Sequence, residues 1–307
     1  MTTPAAAPIG PSRARRRALL KRAENRFGFL LAVPALIAFC VVILYPFLQA
    51  IWLSFYRVTI FAPEPKWVGF NNFITFLTDP SQLQAWGTTV MFVVVTTSVT
   101  FVLGLVWALL MDQSFRGRAI VRSASLLPWV LPSTVTAFLW TWLLNAQYGV
   151  LNAFLLQLGI IDEPVAWLST PSGAMAGIVI AKTWLSIPLF MAFFLAGLQS
   201  LSRDQLEAAR VDGATNFQAL IHVVLPHLKH TMMVVLVLGA MGNLQQFDVI
   251  YAMTGGGPVG ATNVLSIEVY RQAFQNWNLG MAATVGVMWF LTIAPPAFIY
   301  LRSLFKN

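Results

Sequence analysis

Residues 88–111, TTVMFVVVTTSVTFVLGLVWALLM, carry no charged side chain over 24 positions. A hydrocarbon core about 30 Å thick is crossed by roughly 20 apolar residues rising 1.5 Å each, so the stretch has the length of a membrane-spanning helix. It is too long for an ordinary strand and lacks the two-residue alternation of an outer-membrane barrel. Five further stretches pass the same test: 27–55, 119–144, 173–198, 231–250 and 282–304. The expected fold is an all-α integral membrane protein, a bundle of six transmembrane helices.

Composition agrees. Of the 307 residues 58% are hydrophobic and 10% charged, against roughly 45–50% and 25% in soluble domains. The net charge of +8 does not point to nucleic acid, because seven of the nineteen basic residues lie between Arg13 and Arg26, directly before the first apolar stretch. A cluster there orients a membrane protein and meets anionic lipid. With the N-terminus cytoplasmic, fifteen Lys and Arg fall in inner segments and three in outer ones. Both termini are then expected in the cytoplasm. The chain divides into a basic N-terminal segment, 1–26, whose Pro- and Ala-rich residues 1–12 are expected to be disordered, and a transmembrane domain, 27–307. The stretch 27–55 exceeds a signal peptide's apolar region and reads as a retained anchor, with kinks expected at Pro34 and Pro46. Trp52, Trp67, Trp86 and Trp277 fall near span ends, as interfacial belts do.

Catalytic chemistry finds little support. The single cysteine, Cys40, sits in an apolar run. There is no GxxxxGK[ST] nucleotide loop, and Gly255-Gly256-Gly257-Pro258 reads as an outer turn. His222, His227 and His230 do not share one helical face and have no carboxylate beside them, so no metal site is expected. No cofactor is implied.

The longest inner loop, 201–230, reads LSRDQLEAARVDGATNFQALIHVVLPHLKH. Ser202 suits a helix cap, Asp204 the first turn, and Gly213 a helix stop. A second helix is expected from Asn216 to Leu225, closed by Pro226. Two short helices with a glycine corner make either a rigid knob for a partner's groove or an amphipathic loop lying on lipid headgroups.

Within the apolar stretches, Asn243, Gln245, Gln246 and Asp248 stand out. Four polar residues in six positions are costly in lipid unless they face water, a partner helix or a solute. Lys182 lies deep in the fourth span, and an ion pair with Asp248 is one arrangement that would accommodate it.

Glu207-Ala208-Ala209, Asp212-Gly213-Ala214 and Leu225-Pro226 together resemble the EAA loop of ABC importer permeases. The resemblance runs from about Phe27 to the C-terminus and is nearest to the carbohydrate, maltose-type branch, through Leu127-PWVLPS-Thr134, Thr183-WLSIPLF-Met191 and Asn243-LQQFDVIYAMTGGG-Pro258. It implies the type I ABC importer permease fold in a minimal six-span form. It also implies a non-catalytic subunit in the bacterial cytoplasmic membrane, coupled to an ATPase through Glu207, Ala208, Ala209, Asp212, Gly213 and Ala214. The partners implied are a second permease subunit of similar fold, two cytoplasmic ATP-binding subunits, an extracytoplasmic sugar-binding protein or lipoprotein, the sugar itself and membrane lipid. By the same resemblance the sugar site is carried by Trp129, Ser133, Leu185, Ser186, Leu189, Gly239, Asn243 and Gln246. The chain departs from the family where Lys229 and His230 replace a proline after the Leu-Pro pair. Leu189 stands where the maltose type has a ring, and Gln246 where it has a shorter amide.

The implied substrate is a di- or oligosaccharide of the trehalose or maltose kind. Another polar solute is the alternative. An ion-coupled transporter would need a membrane-depth carboxylate or histidine relay, for which Asp248 stands alone, and a membrane-embedded enzyme would need an activating base that the spans lack.

Overall fold

The computed structural model describes Phe29 and residues 31–304. The basic segment 1–26, including residues 1–12, lies outside the described residues.

The first helix, α1 (Leu31–Ser54), has no buried residue in its apolar window. Pro46 does not break it. The helix widens into a π turn at Cys40–Leu44, where the Tyr45 N–H donates to the Cys40 carbonyl, five residues back. The wider turn accommodates a proline ring that would otherwise strike the carbonyl four residues before it.

A compact unit starts at Leu53. It opens on a hairpin of β1 (Tyr56–Thr59) and β2 (Ala62–Trp67), paired Tyr56 to Trp67 and Arg57 to Lys66. This sheet departs from the all-α expectation. Its cause is local: Tyr56, Val58 and Thr59 favour extended backbone, and Trp67 packs against Tyr56 at 5.1 Å and Phe55 at 5.7 Å.

After α2 (Asn71–Thr78) comes α3 (Pro80–Asp112), capped by Asp79, whose carboxylate accepts the Ser81 N–H at 2.8 Å, with Pro80 at the first helical position. Next are α4 (Arg118–Ser125), α5 (Leu127–Val130) and α6 (Ser133–Leu143). The expectation of one straight span over 119–144 is corrected here: the segments before and after the break are bent by 100°. Pro132 has no N–H to continue the ladder, and Leu131, preceding it, is extended with ψ of 138°. Then follow α7 (Val150–Gln157), α8 (Pro171–Gln199) and α9 (Arg203–Val211).

Helix α10 (Asn216–Leu244) differs from expectation at both ends. It runs through Pro226, because a second π turn, Leu220–Val224, again precedes the proline. It ends at Leu244, well short of 250, where the chain turns and resumes as α11 (Asp248–Thr254). The Ser266 hydroxyl donates to the Gln246 carbonyl at 2.7 Å, holding that carbonyl away from a continuing helix. The chain closes with α12 (Leu265–Tyr270) and α13 (Leu279–Leu304). Among the described residues, four helices have the length and apolarity of a span, and the bent pair makes up to five.

Helices α3, α8 and α10 form the core. Phe190 of α8, 3% exposed, packs between two glycines. A methyl on Gly104 of α3 would lie 2.6 Å from the Phe190 Cβ, and one on Gly239 of α10 would overlap the ring's Cζ. Thr96, Thr97 and Thr100 put a polar stripe on the buried face of α3. The Thr97 hydroxyl accepts from the Asn243 amide at 2.9 Å, and Thr100 reaches Thr183 at 3.5 Å.

Candidate functional site

Two regions combine polarity with an open surface. The first is a cleft of about 340 Å³ lined by Trp129, Leu131, Ser133, Lys182, Leu185, Ser186, Leu189, Phe190, Leu238, Gly239, Gly242 and Asn243. The bends described above build it. The break at Leu131–Pro132 sets Trp129 and Ser133 on either side of a turn, so ring and hydroxyl reach one space. Helix α8 contributes Lys182, Leu185, Ser186 and Leu189, and α10 contributes Gly239 and Asn243.

Of the eight residues that the resemblance implied, the cleft gathers seven; Gln246 is apart. Gln246 is buried, and its backbone is tied to Ser266. Asn243 both lines the cleft and donates to Thr97, so the two readings of its role hold together. Gln245 is exposed. The sequence-based set omitted Lys182, although an ammonium at membrane depth was itself a signal.

The ion pair between Lys182 and Asp248 is absent. Among the described residues the ion pair within 4.0 Å is Arg271 with Glu268, at 3.3 Å. Asp248 instead accepts the Ser133 hydroxyl at 2.7 Å, which links the start of α11 to the cleft wall. The cleft thus offers two aromatic rings, two hydroxyls, an amide and an ammonium on an apolar frame, the chemistry of a site for a hydroxyl-rich solute.

The second region is the corner after α9. Ser202 caps α9, accepting from the Asp204 N–H at 3.3 Å. Gly213, at φ +84°, ends it, with the Ala214 N–H donating to the Ala209 carbonyl at 2.9 Å. Thr215 and Gln218 then form a reciprocal capping box that starts α10. A concavity of about 350 Å³ is bounded by Ala209, Asp212, Gly213, Ala214, Gln218 and His222 among others. Glu207 and Ala208 are exposed on the same corner. Beneath it, Leu206 and Leu220 pack on a core around Phe194, Leu198 and Leu228.

The sequence reading passed over Val211 and Phe217, which are 87% and 68% exposed at this corner. Two apolar side chains in a loop of charged and polar residues were the available signal. The histidines serve locally: His227 meets the Ser200 hydroxyl at 3.0 Å, and His222 the Gln218 carbonyl at 2.9 Å. Among the described residues no group of three His, Cys, Asp or Glu stands ready for a metal ion.

Long apolar helices around a polar cleft define a multi-pass membrane protein with a solute-sized cavity in its core. Comparison with known proteins narrows this. The model of the family described as binding-protein-dependent transport system inner membrane component matches residues 100–301. The trehalose/maltose transport system permease protein MalF of Thermococcus litoralis is 35% identical, over 92% of this chain and 95% of the relative. The trehalose transport system permease protein SugA of Mycobacterium tuberculosis is 32% identical, over 92% and 90%. The sulfoquinovosyl glycerol transport system permease protein SmoG of Agrobacterium fabrum is 31% identical, over 91% and 90%. In fold, the chain is similar to a bacterial ABC transporter involved in import of the acidic polysaccharide alginate, with a TM-score of 0.78 and 21% identity over 93% and 99% of the two chains. The chain belongs to the binding-protein-dependent transport system inner membrane component family. It is a permease subunit and not an enzyme.

Proposed function

We propose that this chain forms half of the translocation pathway of an ATP-driven sugar importer. A second permease of similar fold supplies the other half, two cytoplasmic ATPases supply the force, and an extracytoplasmic binding protein delivers a di- or oligosaccharide of the trehalose or maltose kind. The chain crosses the bacterial cytoplasmic membrane six times, with both termini in the cytoplasm.

One observation carries this reading: Trp129, Ser133, Ser186 and Asn243 converge on one cleft. Its size falls at the small end of ligand clefts, about 300–1,000 Å³. A sugar has apolar ring faces and hydroxyl edges, and the cleft pairs a ring with hydroxyl and amide partners. The names of the Thermococcus and Mycobacterium relatives support the substrate class.

The exposed corner takes the ATPase. Glu207 and the Asp212-Gly213-Ala214 bend meet a groove of that subunit, and Val211 and Phe217 supply the apolar contact. Closure of the ATPases then pushes on α9 and the start of α10, and the bundle moves between two states with the cleft open to opposite sides.

A sugar bearing an anionic group is the second reading. Lys182 favours it, since its ammonium lines the cleft without a carboxylate within ion-pair distance. The name of the Agrobacterium relative points the same way.

The test is uptake of labelled trehalose by proteoliposomes holding the full complex and its binding protein. Uptake is expected with ATP and absent without it, and Ser substitutions at Val211 and Phe217 are expected to abolish trehalose-stimulated ATP hydrolysis while the complex still folds. Uptake by this chain alone, or full coupling in the double Ser variant, would overturn the proposal.

A further inference from the structure

On the side of α8 turned away from the cleft, an apolar trench runs between α3 and α8. Its walls are single helical stripes. Helix α3 contributes Val99, Leu103 and Trp107, spaced four residues apart, and α8 contributes Ile180, Trp184 and Ile187. The α8 residues that line the cleft, Leu185, Ser186 and Leu189, fall on the opposite face at about 100° per residue. Two hollows occupy the trench, one of about 260 Å³ and one of about 590 Å³, and they share Trp184 and Ile187. Val121, Ala124 and Leu127 close the larger one. From Val99 to Met111 the α3 wall rises about 18 Å at about 1.5 Å per residue, close to one leaflet of a hydrocarbon core about 30 Å thick.

The end beyond Trp107 is cationic. Arg118 donates to the carbonyls of Asp112 and Gln113 at 3.3 and 3.4 Å, and Arg122 to that of Met111 at 3.2 Å. Both guanidinium groups therefore bridge α4 to the last turn of α3, about one turn past Trp107. Arg116, between the two helices, is exposed. Among the described residues none of the three has a carboxylate within 4.0 Å, and Nε of Arg122 is buried without a hydrogen-bond partner.

Three positive charges without a counter-charge, at the end of a trench lined by aliphatic and indole groups, suit a molecule that is anionic at one end and hydrocarbon along the rest. An apolar helix laid in the trench would leave the arginines unpaired, whereas a phosphodiester accepts several charge-assisted hydrogen bonds at once. Trp107 fits that boundary, because its ring lines the trench while its N–H donates to the Ser125 hydroxyl at 2.9 Å.

We propose that the trench between α3, α4 and α8 binds an acyl chain of an anionic phospholipid whose phosphate meets Arg116, Arg118 and Arg122. The site lies behind the helix that carries Ser186 and Leu189, so it holds whichever solute the cleft takes.

The full complex, stripped of lipid in detergent, is titrated with dioleoyl phosphatidylglycerol or dioleoyl phosphatidylcholine, and bound lipid is counted by native mass spectrometry. Phosphatidylcholine is expected to bind at least about tenfold more weakly than phosphatidylglycerol. R116Q and R118Q are each expected to raise the half-saturating phosphatidylglycerol concentration about fivefold. A124W fills the trench and leaves the charges in place, and it is expected to bind one phosphatidylglycerol fewer per copy of this chain. Equal binding of the two lipids, or variants that bind as the parent does, would overturn the site. So would an A124W complex that loses the second permease on size-exclusion chromatography, because the trench would then be a subunit interface. Solute uptake is no part of this readout, so failure here leaves the importer reading standing, and a complex that binds the lipid but imports no sugar sinks that reading alone.

Discussion

Phe190 shows how single residues shape the cleft. Its ring is a wall of the cavity, and it lies against Gly104 on one neighbouring helix and Gly239 on another. Gly239 has no unusual backbone requirement; its role is to leave room. Replacing it with alanine inserts a methyl where Cζ and Cε2 of the ring already sit, the latter 3.0 Å away. Overpacking of this kind costs about 1–3 kcal/mol and is relieved by moving the ring. G239A is therefore expected to raise the half-saturating sugar concentration several-fold in vesicle uptake, and F190L in the same chain to restore part of it. Gly213 is the opposite case. A Cβ there meets open space, but its φ of +84° suits glycine, so any side chain acts through backbone strain of about 1 kcal/mol.

At the scale of elements, the start of α3 and helix α12 are held together by one buried carboxylate. Glu268 of α12 is 2% exposed and accepts from Gln82 of α3, Asn263 of the turn and Gln272, each at 2.7 Å, with Arg271 at 3.3 Å. Three amides and a guanidinium offset the cost of burying the charge. Removing it leaves their donors without an acceptor, so E268A is expected to lower stability by about 3–5 kcal/mol. The thermal midpoint of the detergent-purified complex would fall markedly, and sequential proteolysis would reach the 254–264 turn first. Sequence did not single out Glu268: Asn263, Arg271 and Gln272 lie within five residues of it, but Gln82, which ties it to α3, is 186 positions away and meets it only after folding. Sequence did reveal the corner in detail: Ser202, Gly213 and the Asp204 charge act within one or two turns of themselves. It was less informative at the prolines. Pro132 ends a helix while Pro46 and Pro226 follow π turns and Pro188 is carried inside α8 without one, and such backbone accommodation is not displayed by residue identity alone.

At the scale of the molecule, the long apolar helices were legible because lipid imposes a length and a composition that any window of sequence reveals. The cleft was legible only through family resemblance. Seven of its residues come from segments more than 100 positions apart, Trp129 to Asn243, and no periodicity joins them. The breaks that create it, at Pro132 and after Leu244, interrupt stretches that composition alone reads as continuous. One of the features described above governs how the two working regions are aligned. A π turn is a helix carrying one surplus residue, and each residue of an α-helix advances the azimuth by about 100°. Winding Leu220–Val224 as ordinary α-helix with no residue removed, as Pro226→Ala permits, would swing everything before it by about that angle, leaving Asn243 facing its cleft while the bend at Asp212 to Ala214 points elsewhere. Such a variant is expected to hydrolyse ATP and bind sugar, yet carry none across. The surplus residue would then be what keeps motor and cargo in phase.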